Sequence, residues 1–186
     1  MKIRPGAAAD GPRVATLHTE SWRAAYSGIM PTSFLEGPLR EEHARLWRNR
    51  LLAEGPVAGD AAGNAHLLVA CDGAATQMGG FAYLIRQDDG RILLDNLHVE
   101  PGLVGTGVGW RLLCRAFAWA AVEHPGQPVY LEVLKANVRA TAFYSRQGGR
   151  PTAERTERFP AGFELAEVEY TWTAADVADL ADHCGR

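Results

Sequence analysis

The feature that most narrows the fold is the passage "RILLDNLHV", Arg91 to Val99, through Pro101 into an amphipathic run and out again to "VYLEVL", Val129 to Leu134. A strand, a helix from about Gly107 to Glu123 and a second strand at this spacing require a right-handed crossover, which sets the two strands parallel. Before it, "HLLVAC" and "GGFAYLIR" are separated by the short connectors "DGAATQM" and "QDDG", which predict an antiparallel meander ending in the first crossover strand. "EVEYTW" supplies a later strand. The expected class is α+β, a mixed and mainly antiparallel sheet flanked by helices.

The flanking helices are legible too. Lys2 to Arg4 reads as a first strand. Asp10 as N-cap, with Pro12 in the first turn, starts a helix running to about Tyr26. Leu39, His43, Leu46, Trp47 and Leu51 make one helical stripe, and Val108, Leu112, Ala116 and Ala120 make another. Residues 55 to 65 form a Gly/Ala/Pro loop, and a final helix, about Ala174 to His183, looks like an appended cap. The 186 residues fit one domain, 1–186, with 173–186 as a helical extension.

Composition excludes several functions. A net charge of −3 argues against sequence-independent nucleic-acid binding. No apolar run approaches the ~20 residues of a membrane span. The N-terminus lacks the apolar segment of a secretion signal, so a cytoplasmic location is expected. Cys71, Cys114 and Cys184 have unrelated spacings and read as buried or incidental thiols in a reducing compartment. No CxxC, HxxxH or zinc spacing occurs, and no metal is expected.

Gly105, Gly107 and Gly109 stand where strand turns to helix. Unpaired amides and the helix dipole make such a junction an anion site, and glycine allows close approach. A plain connecting loop is the alternative. A Walker loop would need a lysine that is not there, and a Rossmann fingerprint fits poorly. The whole segment "LHVEPGLVGTGVG" instead resembles the acetyl-CoA signature of the GCN5-related N-acetyltransferases, LxVxPxxxGxGxG. A second segment, "NVRATAFYSRQGG", is similar to that family's NxxAxxFYxxxGF, with Asn137, Ala140, Phe143, Tyr144 and Gly148 in place and Gly149 where the family has an aromatic.

The resemblance implies a three-layer α/β/α fold and acetyl-CoA as co-substrate. It implies that Leu97 and Val99 grip the pantetheine arm, with His98 between them in the same segment. The loop Val104, Gly105, Thr106, Gly107, Val108 and Gly109 would take the pyrophosphate. Val104 departs from the usual Gln or Arg, which weakens phosphate contacts without removing the backbone ones. Asn137, Ala140, Phe143 and Tyr144 would complete the cofactor site.

Acetyl transfer to an amine needs an uncharged nucleophile, a polarised carbonyl and a proton for the departing thiolate. Tyr144 is the candidate acid. The resemblance assigns carbonyl polarisation to the Val99 amide or a neighbour. Glu132 is the one charged residue of "VYLEVL", a costly place for a carboxylate unless it is paired or lies in a cleft, and it is the leading candidate base. A surface or salt-bridged glutamate is the alternative. Asp95 is its rival as base or amine ligand, because Leu93 stands where many relatives carry a glutamate. The acceptor cleft would be walled by Trp22, Tyr26, Phe159 and Phe163, with Glu132 or Asp95 behind them, which suits a cationic amine. The implied acceptor is a small-molecule amine or a peptide N-terminus. No cysteine lies in either motif, which favours direct transfer in a ternary complex. A non-catalytic acyl-CoA-binding module is the alternative, and a homodimer is compatible with either reading.

Overall fold

The computed structural model describes residues 1–52, 64–73 and 77–184. Its strands are β1 (Lys2–Pro5), β2 (Ala65–Cys71), β3 (Met78–Arg86), β4 (Ile92–Val99), β5 (Val129–Leu134), β6 (Arg150–Arg158) and β7 (Glu164–Trp172). The helices are α1 (Gly11–Tyr26), α2 (Thr32–Glu36), α3 (Leu39–Leu52), α4 (Val108–Glu123), α5 (Val138–Arg146) and α6 (Ala174–Cys184). The strands form one sheet in the order β1-β2-β3-β4-β5-β7-β6. β4 and β5 are its parallel pair, and the other neighbours run antiparallel. This is the mixed, mainly antiparallel α+β fold expected, with the β2–β3–β4 meander at its centre. β6 is an addition: its residues, "RPTAERTER", are nearly all exposed and lack the apolar alternation that marks a strand.

β2 explains why the sheet is covered on both sides. Leu68 and Ala70 pack into one core with Leu112, Leu113, Ala116 and Phe117 of α4. Leu67, Val69 and Cys71 pack into a second core with Val14 and Leu17 of α1 and Trp47 and Leu51 of α3. Side chains alternate between faces along a strand, so a strand buried twice is apolar throughout, as "LLVAC", Leu67 to Cys71, is. Leu39, His43, Trp47 and Leu51 of α3 and Val108, Leu112, Ala116 and Ala120 of α4 are all buried, whereas Leu46 of the expected α3 stripe is only half-buried. Val177 of α6 is buried in the α4-side core.

Two expectations are corrected. The Asp10 carboxylate does not cap α1; it turns back to Arg4, at 2.7 and 2.8 Å, and to the Ala7 amide at 2.8 Å. A charge-assisted bidentate pair outweighs a single cap hydrogen bond. Cys71 is a buried free thiol, but Cys114 is disulfide-bonded, so cysteine usage no longer argues for a reducing compartment. Most of the 55–65 loop and part of the "DGAATQM" connector lie outside the described residues. No helix among the described residues is long and apolar enough to cross a membrane.

Candidate functional site

The site begins where the parallel pair stops. β4 meets β5 at Ile92↔Val129 and Leu93↔Tyr130. Beyond that point β4 continues against β3 to Val99↔Gly80, and β5 continues against β7 to Leu134↔Glu167. The two strands part, and the β5-facing edge of Leu97–Val99 is left outside the β4–β5 ladder. A β-bulge accompanies the parting. Tyr83 pairs with Asn96 and Leu84 with Leu94, so Asp95 is the extra residue. The bulge shifts the alternation: Ile92, Leu94, Leu97 and Val99 all meet the α4-side core, while His98 faces α1.

The glycine loop lies at the end of this edge. Gly105 and Gly107 both have φ of +86°, a conformation in which L side chains are strained, and a Cβ at either would meet nothing within 4 Å. Backbone geometry, rather than crowding, demands glycine at both. The Arg111 amide donates to the Gly107 carbonyl at 3.1 Å as the first bond of α4, so the amides of Val108, Gly109 and Trp110 precede the helical ladder. The side chains here do little for an anion. Val108 is buried in the core, Val104 is an exposed apolar residue, and the Thr106 hydroxyl donates to the Leu103 carbonyl at 2.6 Å.

α5 packs the second motif onto the α4-side core that Val108 of the glycine loop also enters. Asn137 Oδ1 accepts from the Ala140 amide at 3.1 Å and caps the helix. Ala140 and Phe143 pack against the α4-side core, and Tyr144 is buried within it. Burial holds the Tyr144 phenol well above its ordinary range, and a neighbouring Tyr26 adds to the effect. Burial likewise pushes Tyr26 up to about 12, with Asn137 acting the other way. Tyr26 of α1 and Tyr144 of α5 thus approach one another from opposite sides of the sheet. Gly149 lies under Trp172, where a Cβ would come within 2.6 Å of the indole; Trp172 fills the space beside it.

Both candidate carboxylates are paired with arginines, in unlike settings. Glu132 is held by Arg155 through two hydrogen bonds, one of them 2.7 Å, and Arg155 also reaches Glu167 at 3.1 Å. The Arg155 side chain is 53% exposed. Burial, opposed by Arg155, raises the Glu167 carboxyl above its ordinary value. Asp95 pairs with Arg50 at 2.7 Å, both side chains being about a quarter exposed or less (24% and 20%). Arg50 also donates to Asn96 Oδ1 at 3.0 Å and lies over the Trp47 and Tyr83 rings.

The four aromatic side chains named for an acceptor wall come together in one cluster, which Leu134 of β5 also enters. Trp22, Tyr26, Phe159 and Phe163 pack around Met30, Phe34, Leu35, Leu39 and Leu134. Trp22 meets Tyr26 edge-on at 5.1 Å, and Phe159 stacks on Phe163 at 4.6 Å. A cavity of about 240 Å³ lies between the α1–α3 connection and the β6–β7 hairpin, lined by Pro31, Phe34 and Phe163 among others. Asp95 is not part of this wall; it faces α3 through Arg50.

A histidine cluster behind Trp22 escapes sequence reasoning. His18 stacks on His43 at 3.6 Å and lies 4.6 Å from His98. Their protons follow from the partners. The Thr19 hydroxyl donates to Ala15 O at 2.9 Å and therefore accepts from His43 Nδ1 at 3.0 Å. The Ser21 hydroxyl donates to His18 O and accepts from His98 Nδ1 at 2.9 Å. Trp47 Nε1 donates to His18 Nδ1 at 3.1 Å, which leaves the His18 proton on Nε2, a fully buried atom with no partner. All three rings are held neutral. Burial lowers His18 well below its ordinary value, His43 to about 4 and His98 to about 3. The one available signal was His43 within the apolar stripe of α3. Among the described residues no group of three such side chains is arranged to hold a metal ion.

A sheet parted at its parallel pair, with a glycine-governed helix N-terminus beside the opening, is the architecture that the sequence resemblance implies. The chain matches the model of the Acetyltransferase (GNAT) family over residues 17–149 and belongs to that family. An uncharacterised N-acetyltransferase of Mycobacterium bovis is 38% identical over 85 residues, which span 46% of this chain and 54% of the relative, so the match covers about half of each. A probable N-acetyltransferase of Mycobacterium tuberculosis is 27% identical over 79% of this chain and 78% of its own length. Among solved structures, the PaiA N-acetyltransferase of Thermoplasma acidophilum in complex with coenzyme A shares the fold, with a TM-score of 0.67 at 20% identity over 89% of this chain and 96% of that one.

Proposed function

We propose that this acetyltransferase carries an acetyl group from acetyl-CoA to a primary amine by direct attack in a ternary complex. The observation that carries the reading is the early end of the β4–β5 ladder at Leu93↔Tyr130, which leaves the Leu97–Val99 edge to pair with the amide-bearing pantetheine arm. The pyrophosphate is held by the amides of the Val104–Gly109 loop at the start of α4, where the helix dipole favours an anion. With the arm on that edge, the Val99 amide polarises the thioester carbonyl.

The bound ammonium first gives one proton to a carboxylate, which passes it to solvent; the neutral nitrogen then attacks the thioester carbon, a C–N bond forms, and the second surplus N–H proton leaves to the same carboxylate. Glu132 suits this role better than Asp95. Its arginine is half exposed, so an arriving cation can replace Arg155. Asp95 is committed to an arginine that is itself packed on two rings. As the C–S bond breaks, the negative sulfur takes the proton of Tyr144, which burial keeps un-ionised at any ordinary pH. Glu132 then returns its proton to solvent and Tyr144 is reprotonated from solvent. The acceptor is a small amine or a peptide N-terminus whose cationic form is drawn by Glu132, Glu157 and Glu167 around the single Arg155 and steered by Trp22, Tyr26 and Phe159.

A second reading, a module that binds acyl-CoA without turnover, draws support from the arginine pairing of both carboxylates. The test is thiol release from acetyl-CoA over small amines, polyamines and short peptides, corrected for hydrolysis, with calorimetry of CoA binding. Acceptor-dependent release supports transfer; tight CoA binding with no acceptor raising the rate favours the module.

A further inference from the structure

The β4 bulge puts Asp95 and Asn96 against one guanidinium. Arg50 Nη1 lies 2.7 Å from Asp95 Oδ2 and 3.0 Å from Asn96 Oδ1. A bulge leaves consecutive side chains free to share a face, whereas a regular strand would send them to opposite ones. Arg50 is itself fixed: its carbon Cζ sits 5.2 Å from the Trp47 ring centroid and 4.8 Å from that of Tyr83, and Trp47 is fully buried. Tyr83 is the last β3 residue in register before the bulge, pairing with Asn96. One arginine from α3 therefore touches both bulge residues and the strand residue across from them. The β4–β5 ladder ends at Leu93, two residues before Asp95.

We propose that Arg50 is a positioning residue for acetyl transfer: it clamps the Asp95–Asn96 bulge, keeps β4 turned from β5 and so holds the Leu97–Val99 edge open for the pantetheine arm. The inference rests on the acetyl-transfer reading and adds to it the device that sets the strand opening. It also gives Asp95 a structural task in place of proton transfer. Without the clamp, β4 is free to smooth the bulge, which would flip the alternation from Asn96 onward and turn the edge amides away.

The test compares Arg50→Met, which retains an apolar stem over Trp47, with Asp95→Asn, which retains Arg50 and a hydrogen-bonding side chain. Calorimetry gives the Kd of CoA, and amide chemical shifts of Leu97, His98 and Val99 report the strand in the unliganded protein. Arg50→Met is expected to weaken CoA binding at least fivefold and to shift those amides, with Asp95→Asn intermediate. Val177→Ala, which opens a cavity under α6 at a residue outside both motifs, is expected to keep CoA affinity within twofold, which separates positioning from general loss of stability. Should Arg50→Met fail to fold, Asp95→Asn decides by the same two measurements. Unchanged CoA affinity and unchanged amide shifts would overturn the proposal, whereas wild-type protein that does not bind CoA at all would overturn the acetyl-transfer reading itself.

Discussion

Arg155 grips Glu132 through both terminal nitrogens, and the same guanidinium reaches Glu167 at 3.1 Å. Glu157 lies 3.9 Å away, so one cation serves several carboxylates. Although the Arg155 side chain is 53% exposed, Glu132 and Glu167 are only 26% and 15% exposed, so its removal should cost more stability than the ~0–1 kcal/mol of an exposed ion pair. Arg155→Met is expected to lower KM for a cationic amine severalfold, since Glu132 and Glu167 lose their internal counter-ion. A raised KM in steady-state kinetics would show that Arg155 binds the acceptor itself.

Trp172 over Gly149 makes a stability prediction. A Cβ at Gly149 would lie 2.6 Å from an indole that is fully buried and anchored by Nε1 donating to Gln147 O at 2.8 Å. Gly149→Ala should cost about 1–3 kcal/mol, the usual penalty of overpacking. The smaller ring of Trp172→Phe should recover part of that loss in the double variant, read as non-additive shifts in urea midpoint.

The histidine cluster ties stability to pH. His43 and His98 are depressed to about 4 and about 3, with burial the main cause, so each takes up its proton more readily in the unfolded chain. Their contribution is complete above about pH 6.5, the ordinary histidine value, and falls as pH drops toward the folded values. At pH 5 each should have lost about 2 kcal/mol. The urea midpoint should therefore fall between pH 7 and pH 5, and His43→Gln should flatten that fall. A midpoint equal at both pH values would mean that the rings are not held neutral.

The sheet was readable because its central strands are apolar in ways with one physical cause. "LLVAC", Leu67 to Cys71, is buried on both faces, and the crossover length leaves no choice but a parallel pair. β6 was not readable, since an edge strand paired on one side only has no need of apolar residues. Asp10 and the bulge at Asp95 were missed for another reason: each carboxylate meets an arginine of a different element, Arg4 of β1 for Asp10 and Arg50 of α3 for Asp95, which the helix and strand patterns do not encode. Backbone geometry was legible at Gly105 and Gly107, where positive φ calls for glycine, and at Asn137, which caps its helix. The arginine partners of Glu132 and Asp95 and the neutral histidines were not, because they arise only when α1, α3 and β6 come together.

The most direct measurement is turnover by Tyr144→Phe with the best acceptor found, beside calorimetry of CoA on the same protein. Removing one positioned acid should lower kcat by about 10²-fold or more, while the Kd of CoA stays within about twofold. If kcat is instead retained, or falls only in proportion to CoA affinity, Tyr144 packs and does not give the proton, and the account of the chemistry is wrong.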